Sequence, residues 1–247
     1  LEDVEAVNFP WPDPELYIDP EECRRLVDEA PDDKVVMGML WACHFQDTCA
    51  AFGMQTCLMN MVAEPEMVHY VDDHIVDFYL KALKIFLEAT KGKVQAILIG
   101  DDVGSQRGLM ISPALISEFV IPGAKKLIDL AHSYGVKVVY HSCGSIVEAI
   151  PLLIEAGVDV IHPIQALAAG MDPANLKDKF DGKISFCGGV DTQDLLPNGT
   201  PEQVAAKVKE LRTYFPTGLI VSPSHEGLQP DVPPSNIKAL FDEATKI

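Results

Sequence analysis

His141 and Cys143 stand two residues apart, just after the apolar run Lys137-Val138-Val139-Tyr140. In an extended segment, side chains at i and i+2 point to the same face. An imidazole and a thiolate side by side at a strand end make half of a zinc site. A catalytic zinc keeps one position open, so three protein ligands suffice. His225 and Glu226 follow the last strand-like run, Leu219-Ile220-Val221, and are the best sources of a third ligand. The pair also has a plainer reading, with His141 as a hydrogen-bonded pocket residue and Cys143 as a small buried hydrophobe.

Asp101 and Asp102 directly follow a second apolar run, Val94 to Ile99. Adjacent side chains alternate in direction, so at most one of these carboxylates faces a site at the strand end. There it can act as a general base, hold a substrate hydroxyl or orient a metal-bound histidine. Helix capping or loop hydrogen bonding explains either residue equally well. His44, with Trp41 and Phe45, can line a wall for an aromatic substrate, or be core and rim. The methionines from Met54 to Met67 are read as helical core packing, and Cys187, inside a strand-like run, as buried.

The elements that must position these groups alternate in kind. Strand-like runs are Val35 to Leu40, Val94 to Ile99, Lys137 to Tyr140, Val158 to Ile161, Ile184 to Cys187 and Leu219 to Val221. Pro65 to Ala89 has apolar residues at helical spacing. Ser112-Pro113 opens a helix running to about Ser133, Thr200-Pro201-Glu202-Gln203 repeats that start signal, and Pro234-Ser235-Asn236 opens the last helix. The Pro-rich stretch Asn8 to Pro14 reads as a stiff connector draped over the surface. Strands alternating with such helices imply a parallel sheet, whose active sites sit at the carboxyl ends of the strands. Polar residues follow four of the six runs: Asp101-Asp102, His141 with Cys143, His162 with Gln165, and Ser224-His225-Glu226. Six runs fall short of a closed (β/α)8 barrel, so the expectation is a TIM-type α/β barrel domain over 1–247 that lacks its first segment; a doubly wound open sheet is the other arrangement that fits. A chain beginning at Leu1 rather than Met agrees with a missing front.

Composition excludes several classes. The 37 acidic residues against 19 basic leave a formal charge of −18, which speaks against nucleic acid or an anionic membrane as partner. No Gly-rich loop has the spacing of a dinucleotide site. There is no signal peptide and no membrane-crossing apolar run, and the six cysteines lack a secreted pairing pattern, so a reducing cytoplasm is expected.

The segments Gly100-Asp101-Asp102-Val103-Gly104-Ser105-Gln106, His141-Ser142-Cys143-Gly144, Gly188-Gly189-Val190-Asp191-Thr192-Gln193, Ser222-Pro223-Ser224-His225-Glu226 and Gln229 to Asn236 together resemble the uroporphyrinogen-decarboxylase superfamily. One branch of it, the true decarboxylases, uses no metal and grips acidic porphyrinogens mainly through N-terminal arginines, a motif this chain does not show. The other, the corrinoid-dependent methyltransferases of the methylcobalamin:coenzyme M type, binds zinc through an H-x-C pair and a later cysteine. His141 and Cys143 match that pair; where the later cysteine falls, this chain has Ser224-His225-Glu226. His225 also matches a histidine of the decarboxylases.

The resemblance therefore implies a zinc-dependent methyltransferase that moves a methyl group between a small methylated substrate, or an acceptor thiol, and a corrinoid carried by a partner protein. It implies His141, Cys143 and His225 as ligands and Asp101, Asp102 and His225 as catalytic. His44, Gln106, Gln165 and Glu226 are its candidate substrate contacts, Gln165 where some methyltransferases have a carboxylate ligand. A metal-free decarboxylase is the alternative, and a non-catalytic barrel binding a ligand or corrinoid protein the third reading.

Overall fold

The computed structural model describes residues 9–41 and 43–246. It divides into two units: residues up to Asp101 with Ile111–Tyr140 and Glu155–Val158, and a second of Asp102–Met110, His141–Ile154 and the chain from Asp159 on.

In the first unit, three strands follow in chain order: β1 (Met37–Met39), β2 (Ala96–Gly100) and β3 (Lys137–His141), the last ending on the first residue of the second unit. β1 and β2 run parallel, Met37 opposite Ala96 and Met39 opposite Leu98. Helices α1 (Pro20–Asp28), α2 (His44–Phe52), α3 (Met54–Ala63), α4 (Pro65–Thr90), α5 (Pro113–Phe119) and α6 (Ile121–Ser133) complete it. β2 and β3 are buried along nearly their whole length, as strands covered on both faces must be. β1 is shorter than its apolar run, and Met37 and Met39 are exposed on it. Leu83, Ile97, Ile99, Ile116, Leu127 and Ile128 are fully buried.

Two sequence expectations are corrected here, and a third is extended. The helix from Ser112 is two helices, broken at Val120. Pro122 has no amide to continue the ladder and opens the next helix instead. The methionine stretch is only partly core: on α3, Cys57 and Met61 lie one turn apart on the inner face, whereas Met54 and Met59 are exposed. The Pro-rich connector lies at the surface over its described residues before Pro14, as expected, and is pinned there: Trp11 stacks on His74 at 4.3 Å and Pro14 opens a short 3-10 turn. Asn8 lies outside the described residues.

The second unit holds β4 (Val160–Ile164), β5 (Ser185–Val190) and β6 (Leu219–Pro223), with β4–β5 and β5–β6 parallel. Just past β3, the amide of Ser142 donates to the His162 carbonyl on β4 (2.8 Å), which places the His141–Cys143 segment beside that strand. The helices are α7 (Ile150–Ala156, whose last turn crosses into the first unit), α8 (Pro173–Phe180), α9 (Leu195–Asn198), α10 (Pro201–Tyr214) and α11 (Pro234–Ala244). Thr200 and Gln203 cap α10 reciprocally, as their spacing predicts. Val190, Leu196, Val204, Val208, Leu211 and Leu240 form its core. Gly188 has φ +117, and a Cβ there would come within 2.6 Å of the Ile164 amide nitrogen, so β4 and β5 approach closely only because it is glycine. Among the described residues there are six strands, not the eight of a closed barrel.

Candidate metal centre

β3 ends at His141, so Ser142 and Cys143 have already left the strand. Their side chains still meet as the i, i+2 rule predicts: Cys143 Sγ lies 3.5 Å from His141 Nε2. Several bonds hold the turn in place. Asp102 Oδ1 accepts from the Cys143 amide at 2.7 Å, and Ser142 Oγ accepts from the Val103 amide at 3.1 Å. Gln165 Oε1 accepts a short bond from the Gly144 amide. Gly144 has φ +82 and sits against Gly104 and Ser105 so tightly that a Cβ would lie 2.7 Å from their backbone.

Two overlapping sets of donors result, each with its ligand atoms within 4.8 Å of one another: Asp102, His141 and Cys143, and Cys143, His225 and Glu226. His141 Nε2 is 3.4 Å from Asp102 Oδ1 and 3.9 Å from Glu226 Oε2, and His225 Nδ1 is 3.5 Å from Glu226 Oε2. Burial decreases from His141 through Asp102 and Cys143 to Glu226, which is exposed. Zinc bonds of about 2.1 Å to nitrogen and 2.3 Å to sulfur, in a tetrahedron, put an N and an S ligand atom about 3.6 Å apart, and an N and an O about 3.4 Å. The observed separations of 3.5 and 3.4 Å match both edges, so the residues fit the metal that the H-x-C pair suggests.

The electrostatics of these donors are set by burial and by the two carboxylates beside them. Burial pushes the Cys143 thiol up, and the Asp102 and Glu226 charges push it further, to about 12. Burial also raises Asp102, but hydrogen bonds from His141 and the Cys143 amide, with the charges of His141 and His225, outweigh it and the net shift is down. His162 is lowered to about 4, by burial first and then by neighbouring His141. Its Nδ1 lies 2.8 Å from His141 Nδ1. Ser224 Oγ, buried beside His225, has no hydrogen-bond partner among the described residues.

Asp101 and Asp102 point apart, as alternation requires, and Asp101 enters a separate buried cluster in the first unit. There His44 Nδ1 donates to Asp72 Oδ1 (2.8 Å) and Nε2 to the Val120 carbonyl (3.1 Å), with Asp101 Oδ2 at 3.4 Å. The Asp72 carboxylate and the Val120 carbonyl both accept, so both ring nitrogens carry protons. The His44 pKa agrees: burial lowers it, but Asp101 and Asp72 raise it to about 9. A ring so engaged has no lone pair to offer a ligand. Gln106 is exposed in the 102–110 loop, where its carbonyl accepts from the Ala169 amide. Trp41 is exposed and Phe45 buried. Sequence reasoning singled out Gln165 but not its anchoring of Gly144. It also missed Asp72, which lies mid-helix on α4 with no motif, and the contact of His162 with His141. The sequence placed His162 after its strand, whereas it lies within β4. A polar residue inside an otherwise apolar strand run was the signal available.

Comparison with known proteins bears on the family and the fold. The chain is 27% identical over 150 residues to a methylated-thiol–coenzyme M methyltransferase of Methanosarcina mazei, covering 60% of this chain and 36% of that protein. It is 24% identical over 152 residues to the methylcobamide:CoM methyltransferase MtbA of the same organism, covering 62% and 42%. The matched stretch thus spans well under half the length of these curated relatives. A solved structure described as a methyltransferase from Methanosarcina mazei superposes with a TM-score of 0.73 at 17% identity, over 91% of this chain and 62% of that one, and so shares its fold. The profile of the uroporphyrinogen decarboxylase (URO-D) family matches residues 1–247, and the chain belongs to that family.

Proposed function

We propose that this chain carries the zinc site of a corrinoid-dependent methyltransferase, exchanging a methyl group between a small methylated compound or a thiol and a corrinoid protein. The observation that carries the reading is the meeting of His141 Nε2 and Cys143 Sγ at 3.5 Å inside a ring of further donors. The methyltransferase relatives support the methyl-transfer class, and the six free cysteines agree with a reducing cytoplasm. No helix among the described residues is long and apolar enough to cross a membrane. The eight-stranded barrel belongs to the same proposal, with two further strands outside the six seen here.

His141 and Cys143 would hold the metal, with the third donor drawn from His225, as the resemblance implies, or from Asp102, whose oxygen already lies at the right separation. Bound zinc supplies Lewis acidity, either lowering the pKa of an acceptor thiol or polarising the oxygen of a methyl ether. The chain's own residues do the rest. Asp102 holds the Cys143 amide and keeps negative charge at the centre. Exposed Glu226, with half-buried His225 beside it, forms the rim where a substrate enters. Gln165 holds the turn that aims Cys143. Asp101 and His44, in their own cluster, act as positioning residues.

The test is zinc stoichiometry in protein purified without added metal, for wild type and for His141→Ala. About one zinc per chain, lost in the variant, is the expected result, and assays with a methylated corrinoid protein then follow. If wild type carries no zinc and takes none up when offered, the zinc mechanism fails and the metal-free decarboxylase becomes the better reading.

A further inference from the structure

Cys49 and Cys57 are the most deeply buried of the described thiols, at 1% and 0% exposure. Both belong to the first unit and to neither donor set of the candidate centre. Helix α2 buries Cys49 one turn after Phe45, and α3 buries Cys57 one turn before Met61. Between the helices the chain turns at Gly53, with φ +80, a conformation that glycine adopts without strain. The Cys57 amide donates back to the Gly53 carbonyl at 2.9 Å, so α3 starts directly after the turn. At this sharp junction the two thiols meet, the Cys49 S–H donating a hydrogen bond to the Cys57 sulfur.

A buried cysteine commonly serves as a small apolar filler. Two features set this pair apart. The sulfurs are already in contact, so a bond between them asks for side-chain rotation rather than a large backbone movement. The two thiols are also unequal. The hydrogen bond from Cys49 holds the Cys57 thiol below its ordinary value, against burial and the Asp72 charge. The same bond, with burial and Cys57 itself behind it, raises Cys49. One thiol is thus the readier nucleophile and its neighbour keeps a hydrogen, the division between an attacking and a resolving cysteine.

We propose that Cys49 and Cys57 form a modification site, closed by hydrogen peroxide into a reversible disulfide between α2 and α3. Peroxide is the oxidant class that fits, being close to water in size while the pair lies beneath the surface. It transfers one oxygen to Cys57 Sγ: the O–O bond breaks, the sulfur becomes a sulfenic acid, and the thiol proton leaves with the other oxygen as water. Cys49 Sγ then attacks that sulfur, the S–O bond breaks, and the hydroxyl departs with the Cys49 proton as a second water. Two thiols and one peroxide give one disulfide and two waters, with sulfur oxidised and peroxide oxygen reduced. A small dithiol reverses the change by exchange. The cross-link ties two helices that Gly53 otherwise joins alone, so the oxidised first unit resists unfolding better.

The test uses the whole wild-type chain with its metal content untouched. Protein is treated with a small excess of hydrogen peroxide, its remaining thiols are blocked with iodoacetamide in urea, and it is cut with chymotrypsin. A cut after Phe52 separates the two cysteines, so only a disulfide keeps their peptides together. The expected product is that linked pair, two hydrogens lighter than the separate thiols and released by dithiothreitol. The melting temperature should be higher before reduction than after. Cys43→Ala should keep the link and Cys57→Ala should abolish it. Half-buried Cys23 reports that oxidant has acted. Cys49 and Cys57 blocked separately while Cys23 is oxidised would overturn the proposal. So would a link that forms only when peroxide is added in urea, since the fold then shields the pair. The wild-type measurement decides the matter even where a variant fails to fold, and whether or not the chain binds zinc.

Discussion

Cys143 shows how one side chain's surroundings define its chemistry. Left alone among Asp102 and Glu226 and partly buried, its thiol is pushed up to about 12 and is a poor nucleophile at neutral pH. A divalent ion in the same space reverses that field and favours the thiolate. Zinc binding must therefore expel the Cys143 proton. The apparent zinc affinity is expected to rise by about tenfold per pH unit between roughly pH 7.5 and 9.5, because the thiol stays protonated throughout that range in the free protein. Competition titrations across those pH values would show it, and a flat profile would remove Cys143 from the ligand set. Cys143→Ala should lose the metal together with activity; loss of activity with zinc retained would give the thiol another role.

At the scale of elements, the turn after β3 and the helix α10 behave differently although both lie in the second unit. Gly144 combines φ +82 with backbone atoms 2.7 Å from any added Cβ. Gly144→Ala should cost roughly 2–4 kcal/mol, from the left-handed conformation and from overpacking together. Because Cys143 is the neighbouring residue, zinc content should fall as well. Thr200→Ala removes one half of the α10 capping box and should cost about 1 kcal/mol. Thr200 lies at the end of that helix away from β6, the strand that leads to His225, so zinc content should stay at the wild-type level. Urea denaturation paired with metal analysis separates the two outcomes. A Gly144→Ala protein as stable and as zinc-rich as wild type would mean that the turn does not position Cys143.

For the molecule as a whole, stability should depend on pH through the His44 cluster. Burial opposes charge on His44, but Asp101 and Asp72 raise its folded-state pKa from 6.5 to about 9. A raised imidazole stabilises the fold fully below about pH 6.5, and that contribution is lost as pH rises through about 9. Burial lifts Asp101 from 3.8 to about 7, and this acts in the same sense at lower pH, since the folded state again holds the proton more tightly. Unfolding free energy should thus decline between pH 6.5 and 9, and His44→Gln should flatten the decline. Removing one partner from so buried a pair should also cost about 3–5 kcal/mol. Parallel wild-type and variant slopes would show that the cluster does not titrate in that range.

The sequence alone determined what depends on short-range rules. Alternation placed His141 and Cys143 on one face and sent Asp101 and Asp102 in opposite directions. Cap residues and prolines marked the starts of α5, α10 and α11, and the order of motifs marked the family, because each signal lies within a few residues of what it specifies. The tertiary structure decided what joins distant residues. Asp72 meets His44 across 28 positions, His162 meets His141 across 21, and Glu226 reaches His141 across 85. No local pattern encodes such pairings: packing of α2 on α4 joins the first, and the loops and strands at one end of the sheet join the other two. The same is true of the outward turn of Met54 and Met59, where helix packing overrode a pattern that read as one core face. The separations between the donor atoms, and the His141 nitrogen that faces them, belong to that second class.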